Sequence, residues 1–589
     1  MPYLKSQPSS SSLIEPINHA DLLVDFIHQL GIDVVFGVPG GAIEPLYDAL
    51  ARSERSGGPR VVTARHESGA AFMADGYFRE SGKMGVVCST TGPGATNLIT
   101  GVSSAMAEHI PMLVITAQTP LPKFGRCALQ ESSCTAIDTV AMLKHCTVFN
   151  TLVSHADQLQ AKLISATMSA HRQPGGPVHV SVPADVLRST AKGKTRLHVD
   201  LLVNPFQVMD AATILRLQEK IMRVDRIAVY IDGGVGAATD AVVEFCELTN
   251  SPFVVGLTGK YWVDESHPLY RGVYGFAGHA SAKTLFDEGV DLVLAVGAAM
   301  DELSTGGWDA HLLNTKLVHI DENMEHFSRS LMANLHVPGN IASIFSELNN
   351  YIRSQRLLGR QWFCCAPANQ LDKNYYGSHH TLEKQSVAPL PTAPVKPQYL
   401  MKFLSDCLPA DCRIYIDAGN VWAWITHYYQ NNSTQGLLRS GMGLGAMGWS
   451  VGAAVGSAIA NPDVPTVCLV GDGAYLMSAQ EITVAAERGL PVIYIVLNDS
   501  AYGMVMHGQK LGGAESVGWK LLSVNYAAMA SAMGIRGIVI EHATDLHQLD
   551  FISLQKNSGP TLIDVRIDRD EVPPMGQRVK SLVNVTPGA

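Results

Sequence analysis

The chain has 589 residues, 47 % of them hydrophobic and 16 % charged, with a net charge of −10. One core cannot serve this length, so three domains of roughly 150–200 residues each are expected. The acidic balance, without a dense Lys/Arg run, excludes a nucleic-acid surface. The ten cysteines show neither CxxC nor a Cys/His cluster, which points to a reduced, cytoplasmic protein with core thiols.

Residues 1–17, beginning MPYLKSQPSSSS, have no apolar signal-peptide core and no Arg-rich amphipathic pattern, and read as a flexible leader. From residue 18 the pattern alternates between helix and strand. ADLLVDFIHQLG has the periodicity of an amphipathic helix. DVVFG, RVVTA, MGVVCST and MLVIT are short apolar runs bounded by Gly, Pro or polar residues. This first domain closes near PVHVSVPADV and spans 18–190. RIAVYIDGG, VDLVLAVG and KLVHID mark a second domain over 205–360. Residues 361–397, rich in Pro, Ser, His and Asn, read as a linker. RIYID, PTVCLVG, PVIYIVL and TLIDV mark a third domain over 398–575, followed by a tail, 576–589. Unbroken apolar strands between helices specify α/β domains, three doubly wound parallel sheets each covered on both faces.

The uncharged run GMGLGAMGWSVGAAVGSAIA (441–460) is long enough to span a bilayer. Its six glycines and polar flank instead predict a tightly packed buried segment, so no membrane partner is expected.

In open parallel sheets ligands gather at the carboxyl ends of the strands. VPGG, ARHE, TTGPGATN, DAGN and GDG all fall there. Gly471-Asp472-Gly473 follows one strand, a helix intervenes, and the neighbouring strand delivers Asn498. One carboxylate and one amide oxygen cannot hold a divalent cation alone. Mg²⁺ wants octahedral oxygen and completes its shell with phosphate oxygens and water. A backbone carbonyl just past Asn498 adds one more ligand, so the pattern implies a bound diphosphate. By itself GDG is also an ordinary turn sequence, and a second constellation is needed.

ARHESGAAFMADGYFRESGKMGVVCSTTGPGATNLITG (64–101) supplies it. With FGVPGGAIEPLYDAL, GLGAMGWSVGAAVG, GDG-x24-ND and YGMV, the chain resembles the thiamine-diphosphate enzymes of the acetohydroxyacid (acetolactate) synthase and pyruvate decarboxylase superfamily. The match to the synthase branch runs over nearly the whole chain, with Asp499 replacing the second Asn of the metal–diphosphate motif. The resemblance implies pyrimidine-binding, central and diphosphate-binding domains, in that order. It implies that Glu67 hydrogen-bonds the cofactor's pyrimidine ring, that Pro93 and Asn97 line the pyrimidine pocket, and that Met447 wedges under the cofactor. Asp472, Asn498 and the Ser500 carbonyl would bind Mg²⁺, and Gly419 and Asn420 would touch the diphosphate. Gly445, Gly471, Gly473, Ala474, Tyr502 and Gly503 complete the implied cofactor contacts. In this superfamily the two ends of the cofactor are held by different subunits, so a homodimer or a dimer of dimers is implied.

The implied chemistry is decarboxylation of a 2-oxo acid, followed by proton uptake to give an aldehyde or attack on a second carbonyl to give a hydroxyketone. Overall resemblance favours carboligation, with pyruvate or a relative as donor and a carbonyl compound as acceptor. The alternatives are a 2-oxo acid decarboxylase or C–C lyase, and a catalytically silent paralogue acting as a binding protein. Against the last, Glu67 and Asp472 are both present. The synthases' GMVxQWQ reads GMVMHGQK here, which places His507 in a substrate-facing region, and their DAFQE reads CALQE, with Leu129 ahead of Gln130 and Glu131. Gly41, His109, Gln118, Leu129, Gln130 and His507 are the substrate-facing candidates. For His109, Gln118 and Gln130 a satisfied structural role competes equally. The family's flavin-binding Arg positions are Ala299 and Leu303 here. That weighs against bound FAD, although IDGGVG retains a dinucleotide-type turn.

Overall fold

The computed structural model describes residues 17–193, 196–204, 208–287, 289–363, 393–431, 433–434 and 437–576. The expected leader, most of the expected linker and nearly all of the expected tail lie outside them.

The apolar runs form three sheets, each flanked by helices. The first holds β1 (Val34–Gly37), β2 (Arg60–Thr63), β3 (Gly85–Ser89), β4 (Met112–Gln118), β5 (Phe149–Leu152) and β6 (Pro177–Pro183), ordered β2-β1-β3-β4-β6-β5. The second holds β7 (Ile227–Ile231), β8 (Phe253–Val255), β9 (Tyr270–Val273), β10 (Leu292–Val296), β11 (Leu317–Asp321) and β12 (Leu335–Pro338), ordered β12-β11-β10-β7-β8-β9. The third holds β13 (Arg413–Ile416), β14 (Leu437–Ser440), β15 (Thr466–Gly471), β16 (Ile493–Asn498), β17 (Arg536–Ile540) and β18 (Thr561–Arg566), ordered β14-β13-β15-β16-β18-β17. Neighbouring strands pair in parallel, as β4 with β6 and β15 with β16. Burial on both faces explains why β4 and β16 carry unbroken apolar runs rather than alternation.

Among the described residues no helix is long and apolar enough to cross a membrane. The uncharged 441–460 run divides into a loop and the helix Trp449–Ala460, which is buried from Trp449 to Ala458.

The first and third domains share one apolar core, in which Val87, Met112 and Tyr77 join Trp449, Val470 and Tyr494. Its centre is the crossing of the Glu67–Ser81 helix over the Trp449–Ala460 helix. A β-carbon on Gly76 would lie 1.9 Å from the Ala453 carbonyl oxygen, and one on Gly456 would lie 1.9 Å from that of Met73. Any side chain at these two positions would drive the helices apart. Ion pairs Arg65–Glu487 (2.7 Å) and Arg413–Glu80 (2.9 Å) border the contact. The second domain docks on the third through a buried Lys260–Glu265 pair (2.6 Å), with Lys260 also donating to the Tyr429 carbonyl.

Glu481, fully buried, reaches from the third domain to the backbone just ahead of Glu67. It accepts from the Arg65 amide at 3.1 Å while its Oε1 has no partner. Burial pushes its carboxyl up to about 7 from 4.5. A carboxyl raised in the folded state contributes its full stability below the unfolded value of 4.5 and loses it as pH rises through about 7. The free energy of unfolding should therefore fall as pH rises from about 5 to about 8, by ~3 kcal/mol at most from this group. Glu481→Gln should flatten that part of the profile; an unchanged slope in the variant would show that Glu481 does not titrate in this window.

Candidate active site

Two clusters of polar side chains stand at strand ends, one in the first domain and one in the third. In the third, β15 and β16 are neighbours in register, Gly471 opposite Leu497, so Asp472 and Asn498 emerge side by side. Asp472 starts the helix Asp472–Ser478 and is buried. Its Oδ1 accepts from the Gly473 amide at 2.7 Å, while its Oδ2 is buried with no hydrogen-bond partner. The amides of Ser500 and Ala501 approach the same carboxylate. Burial, aided by the Asp499 charge, pushes Asp472 up to about 7, and burial pushes Asp499 up to about 6. Two carboxylates held together at this cost match a site that receives a cation.

Asn498 donates through Nδ2 to the Val524 carbonyl at 3.0 Å and to Asp564 Oδ1 at 2.8 Å. Those two bonds fix the amide, and its oxygen accepts only a long bond from the Ser500 hydroxyl at 3.5 Å. Ser500 has φ 55°, a left-handed turn that a non-glycine residue seldom adopts. Its carbonyl accepts from the Leu521 amide at 2.9 Å, leaving one lone pair.

A cavity of about 300 Å³ opens beside this cluster. Gly471, Asp472, Gly473 and Ala474 line one side, and Gly419 and Asn420 another. Tyr502 and Gly503, then Gly445 and Met447, complete the set expected from sequence. Asn498 and Ser500 sit at its edge and are not lining residues. A β-carbon on Gly419, Gly445 or Gly471 would meet nothing within 4 Å, so each glycine leaves open volume. The Asn420 Oδ1 is a second buried orphan. The helices starting at Asn420, Asp472 and Gly503 all begin at this cavity. Among the described residues no Lys, Arg or His lines it. An anion bound here must be held by backbone N–H groups, helix N-termini and a cation. Trp424, Met442, Met504 and Val505 make the rest of the wall apolar.

The first-domain cluster is separate. Glu67 is buried at the start of its helix, and its Oε2 accepts from Asn97 Nδ2 at 3.0 Å. A β-carbon on Gly94 would sit 3.3 Å from Oε1, so Pro93-Gly94 brings backbone close to the carboxylate. Neither Glu67, Pro93 nor Asn97 lines the third-domain cavity of its own chain.

The substrate-facing candidates scatter. Gly41 is exposed next to Gly40, which packs on Thr90. Leu129 is 90 % exposed, and Gln130 packs on Gly92, so these three flank the turn that leads into Pro93. Gln118 is fully buried and spends both ends of its amide on Ser132. His109 points to the second domain, where Asn323 donates to its Nε2 at 3.3 Å. His507 is buried against the segment around Arg569, and Met504 and Val505 of its helix face the cavity instead. Two contributors escaped the sequence reading. Asp417 was quoted only within DAGN, yet it accepts from the Gly448 and Ser450 amides at 2.9 Å each and so ties the Met447 loop to β13. Trp424 carried no signal beyond a hydrophobic helix position.

Matches to known families follow this division. Residues 17–142 match the thiamine pyrophosphate enzyme N-terminal TPP binding domain, 214–348 the central domain, and 417–565 the C-terminal TPP binding domain. The large subunit of acetolactate synthase isozyme 2 from Escherichia coli (strain K12) is 31 % identical, covering 94 % of this chain and 96 % of its own length. The chain belongs to the acetolactate synthase family of thiamine pyrophosphate enzymes. The isozyme 1 large subunit of the same organism is 30 % identical over 94 % of both chains. The acetolactate synthase large subunit of Parasynechococcus marenigrum (strain WH8102) is 31 % identical over 95 % of this chain and 88 % of its own. The protein is thus a thiamine-diphosphate-dependent enzyme of the acetolactate synthase type, as its motifs had suggested.

If the orphaned Asp472 oxygen awaits a cation, Asp472→Ala should weaken Mg²⁺-dependent cofactor binding by at least the ~10–100-fold that loss of even an outer-shell partner costs. Asn498→Ala should act in the same direction. Isothermal titration with thiamine diphosphate, with and without Mg²⁺, reads both, and parent-like affinity in Asp472→Ala would refute the assignment.

Proposed function

We propose that this family member is a Mg²⁺-dependent decarboxylating carboligase, taking pyruvate or a close 2-oxo acid as donor and a second carbonyl compound as acceptor. The observation that carries the reading is the pairing of an orphaned, buried Asp472 oxygen with a cavity that has no basic side chain. The bound cofactor supplies the electron sink for loss of carbon dioxide.

The residues of the chain do the rest. Asp472, Asn498 and the Ser500 carbonyl would hold the cation, whose charge would offset that of the diphosphate. Met447 and Gly445 support the cofactor from below. Glu67 holds a proton against the pyrimidine ring and is the catalytic residue, while Asn97 orients its carboxylate. The apolar wall of Trp424, Met504 and Val505 excludes water, which favours a carbonyl acceptor over a proton at the reacting carbon. Gly41, Leu129 and Gln130 are the substrate-facing candidates best supported by their position around the Pro93 turn. Gln118, His109 and His507 already have packing or hydrogen-bonding roles and act on substrate at most indirectly.

Glu67 lies outside the cavity of its own chain, which supports a site completed by a second copy, in a homodimer or a dimer of dimers. We also infer that the chain works without FAD, since Ala299 and Leu303 offer a dinucleotide phosphate no charge.

With pyruvate, Mg²⁺ and thiamine diphosphate, the purified protein should form 2-acetolactate or acetoin and show no flavin absorption band. Acetaldehyde as sole product would replace the carboligase with a simple decarboxylase. Glu67→Gln should keep cofactor affinity and lose about 10²–10⁴-fold in kcat. Mixing inactive Glu67→Gln with inactive Asp472→Ala, under conditions that exchange subunits, should restore activity by creating one intact site per mixed dimer. No recovery after demonstrated exchange would place both residues in one chain's site.

A further inference from the structure

The loop between β14 and the Trp449–Ala460 helix, residues 441–448, carries Gly445 and Met447 into the cavity. Its far end is fixed within its own domain by Asp417. Its near end and middle are fixed by the first domain. Arg79 donates from Nη1 to the Ser440 carbonyl at 3.2 Å, at the point where the loop begins. The Gly443 amide donates to Glu108 Oε1. A β-carbon on Gly443 would lie 2.8 Å from the Ala107 carbonyl oxygen and 3.0 Å from Glu108 Oε1, so the loop lies directly on the end of the Ile99–Ala107 helix.

The two first-domain side chains are themselves held. Arg79 pairs through Nε with Asp75 at 2.5 Å and through Nη2 with Glu108 at 3.6 Å. Asp75 accepts from Trp449 Nε1 at 2.8 Å, and the Arg79 guanidinium lies 4.9 Å from the centre of the Trp449 ring. Burial pushes the Glu108 carboxyl up, and Arg79 and the Gly443 amide oppose that push. None of Asp75, Arg79 and Glu108 lines the cavity.

We propose that Glu108, oriented by Arg79, is a positioning residue that sets where the Met447 loop stands in the cofactor cavity. It acts through the Gly443 amide and touches neither cofactor nor substrate. The inference rests on the reading of Gly445 and Met447 as the cofactor's support. A first-domain carboxylate thereby shapes the third-domain half of the site within one chain.

Three proteins test it, the parent, Glu108→Ala and Glu108→Gln, each titrated with thiamine diphosphate and Mg²⁺ by tryptophan fluorescence and assayed for kcat and KM. Gln keeps an oxygen acceptor for the Gly443 amide and loses only the ion pair. Glu108→Ala should bind cofactor about tenfold more weakly and lose kcat without a matching rise in the KM for the 2-oxo acid. Glu108→Gln should stay within about threefold of the parent on both counts. The unfolding midpoints of the three cofactor-free proteins should agree within a few degrees. Parent-like binding and turnover in Glu108→Ala would overturn the proposal, as would equal losses in the Ala and Gln variants. A collapsed midpoint in Glu108→Ala would also overturn it, by making Glu108 a residue of the whole fold. A parent protein that fails to bind thiamine diphosphate would instead sink the reading on which the proposal rests.

Discussion

The contact between the Glu67–Ser81 and Trp449–Ala460 helices leaves no room for adjustment. Backbone meets backbone at Gly76 with Ala453 and at Gly456 with Met73. Packed interiors are dense and change arrangement in discrete steps rather than by yielding. Each of these helices begins at a position proposed to act on the cofactor, one at Glu67 and the other just after Met447. Fixing the crossing therefore fixes both positions relative to a common core. Glycine spacing of four residues at Gly452 and Gly456, which face Phe72 and Met73, is the sequence feature that permits it, because residues four apart share a helix face.

The electrostatic design of the cavity follows from a shortage of positive side chains. Asp472 and Asp499 are buried together, while Arg569, which offsets Asp499, spends its hydrogen bonds on the Asp499 carbonyl. An anionic ligand would be repelled from such a site unless a cation arrives with it. Three helix N-termini then supply oriented amides at no cost in side-chain entropy. Two other basic side chains stand at domain junctions. Arg439, nearly buried, stacks 4.3 Å over Trp262 of the second domain, and Arg79 stacks on Trp449. Charge needed for assembly is thus kept apart from charge needed at the cofactor.

Much of this was legible in the chain, and the unread parts have physical reasons. Buried central strands announce themselves as unbroken apolar runs, and β1, β3, β4, β7, β10, β11, β13, β15, β16 and β18 were all visible that way. Phe149–Leu152, Phe253–Val255, Tyr270–Val273, Leu335–Pro338, Leu437–Ser440 and Arg536–Ile540 were not; all but the three-residue Phe253–Val255 strand are sheet edges. An edge strand is short and keeps polar residues, such as the exposed Arg536, so its pattern does not separate it from loop. The third-domain cavity positions were readable because they are strand-end glycines and polar residues in fixed order. The substrate-facing candidates were less so. Whether Gln118 faces substrate or Ser132, and whether His109 faces substrate or Asn323, depends on contacts far away in sequence. Glu108 and Glu481 gave no signal at all, since each works by meeting the backbone of another domain.

Those two carboxylates reveal how one chain connects its half-sites. The segment from Asp472 runs through its helix and a short 3₁₀ turn to Glu481, which meets the backbone at Arg65, two residues ahead of Glu67. At its other end the Glu67 helix presents Arg79, which with Glu108 bears on the Met447 loop. In the assembly proposed above, Glu67 serves one cofactor while Asp472 and Met447 of the same chain serve another. The two sites would then share a strut without slack, anchored by a carboxylate at either end. Filling one cavity would load the strut that holds the other site's catalytic glutamate. Coupling between sites requires an element that both ligands bias, and in the proposed assembly the Glu67 helix, with Glu67 at one end and Arg79 on the Met447 loop at the other, would be such an element.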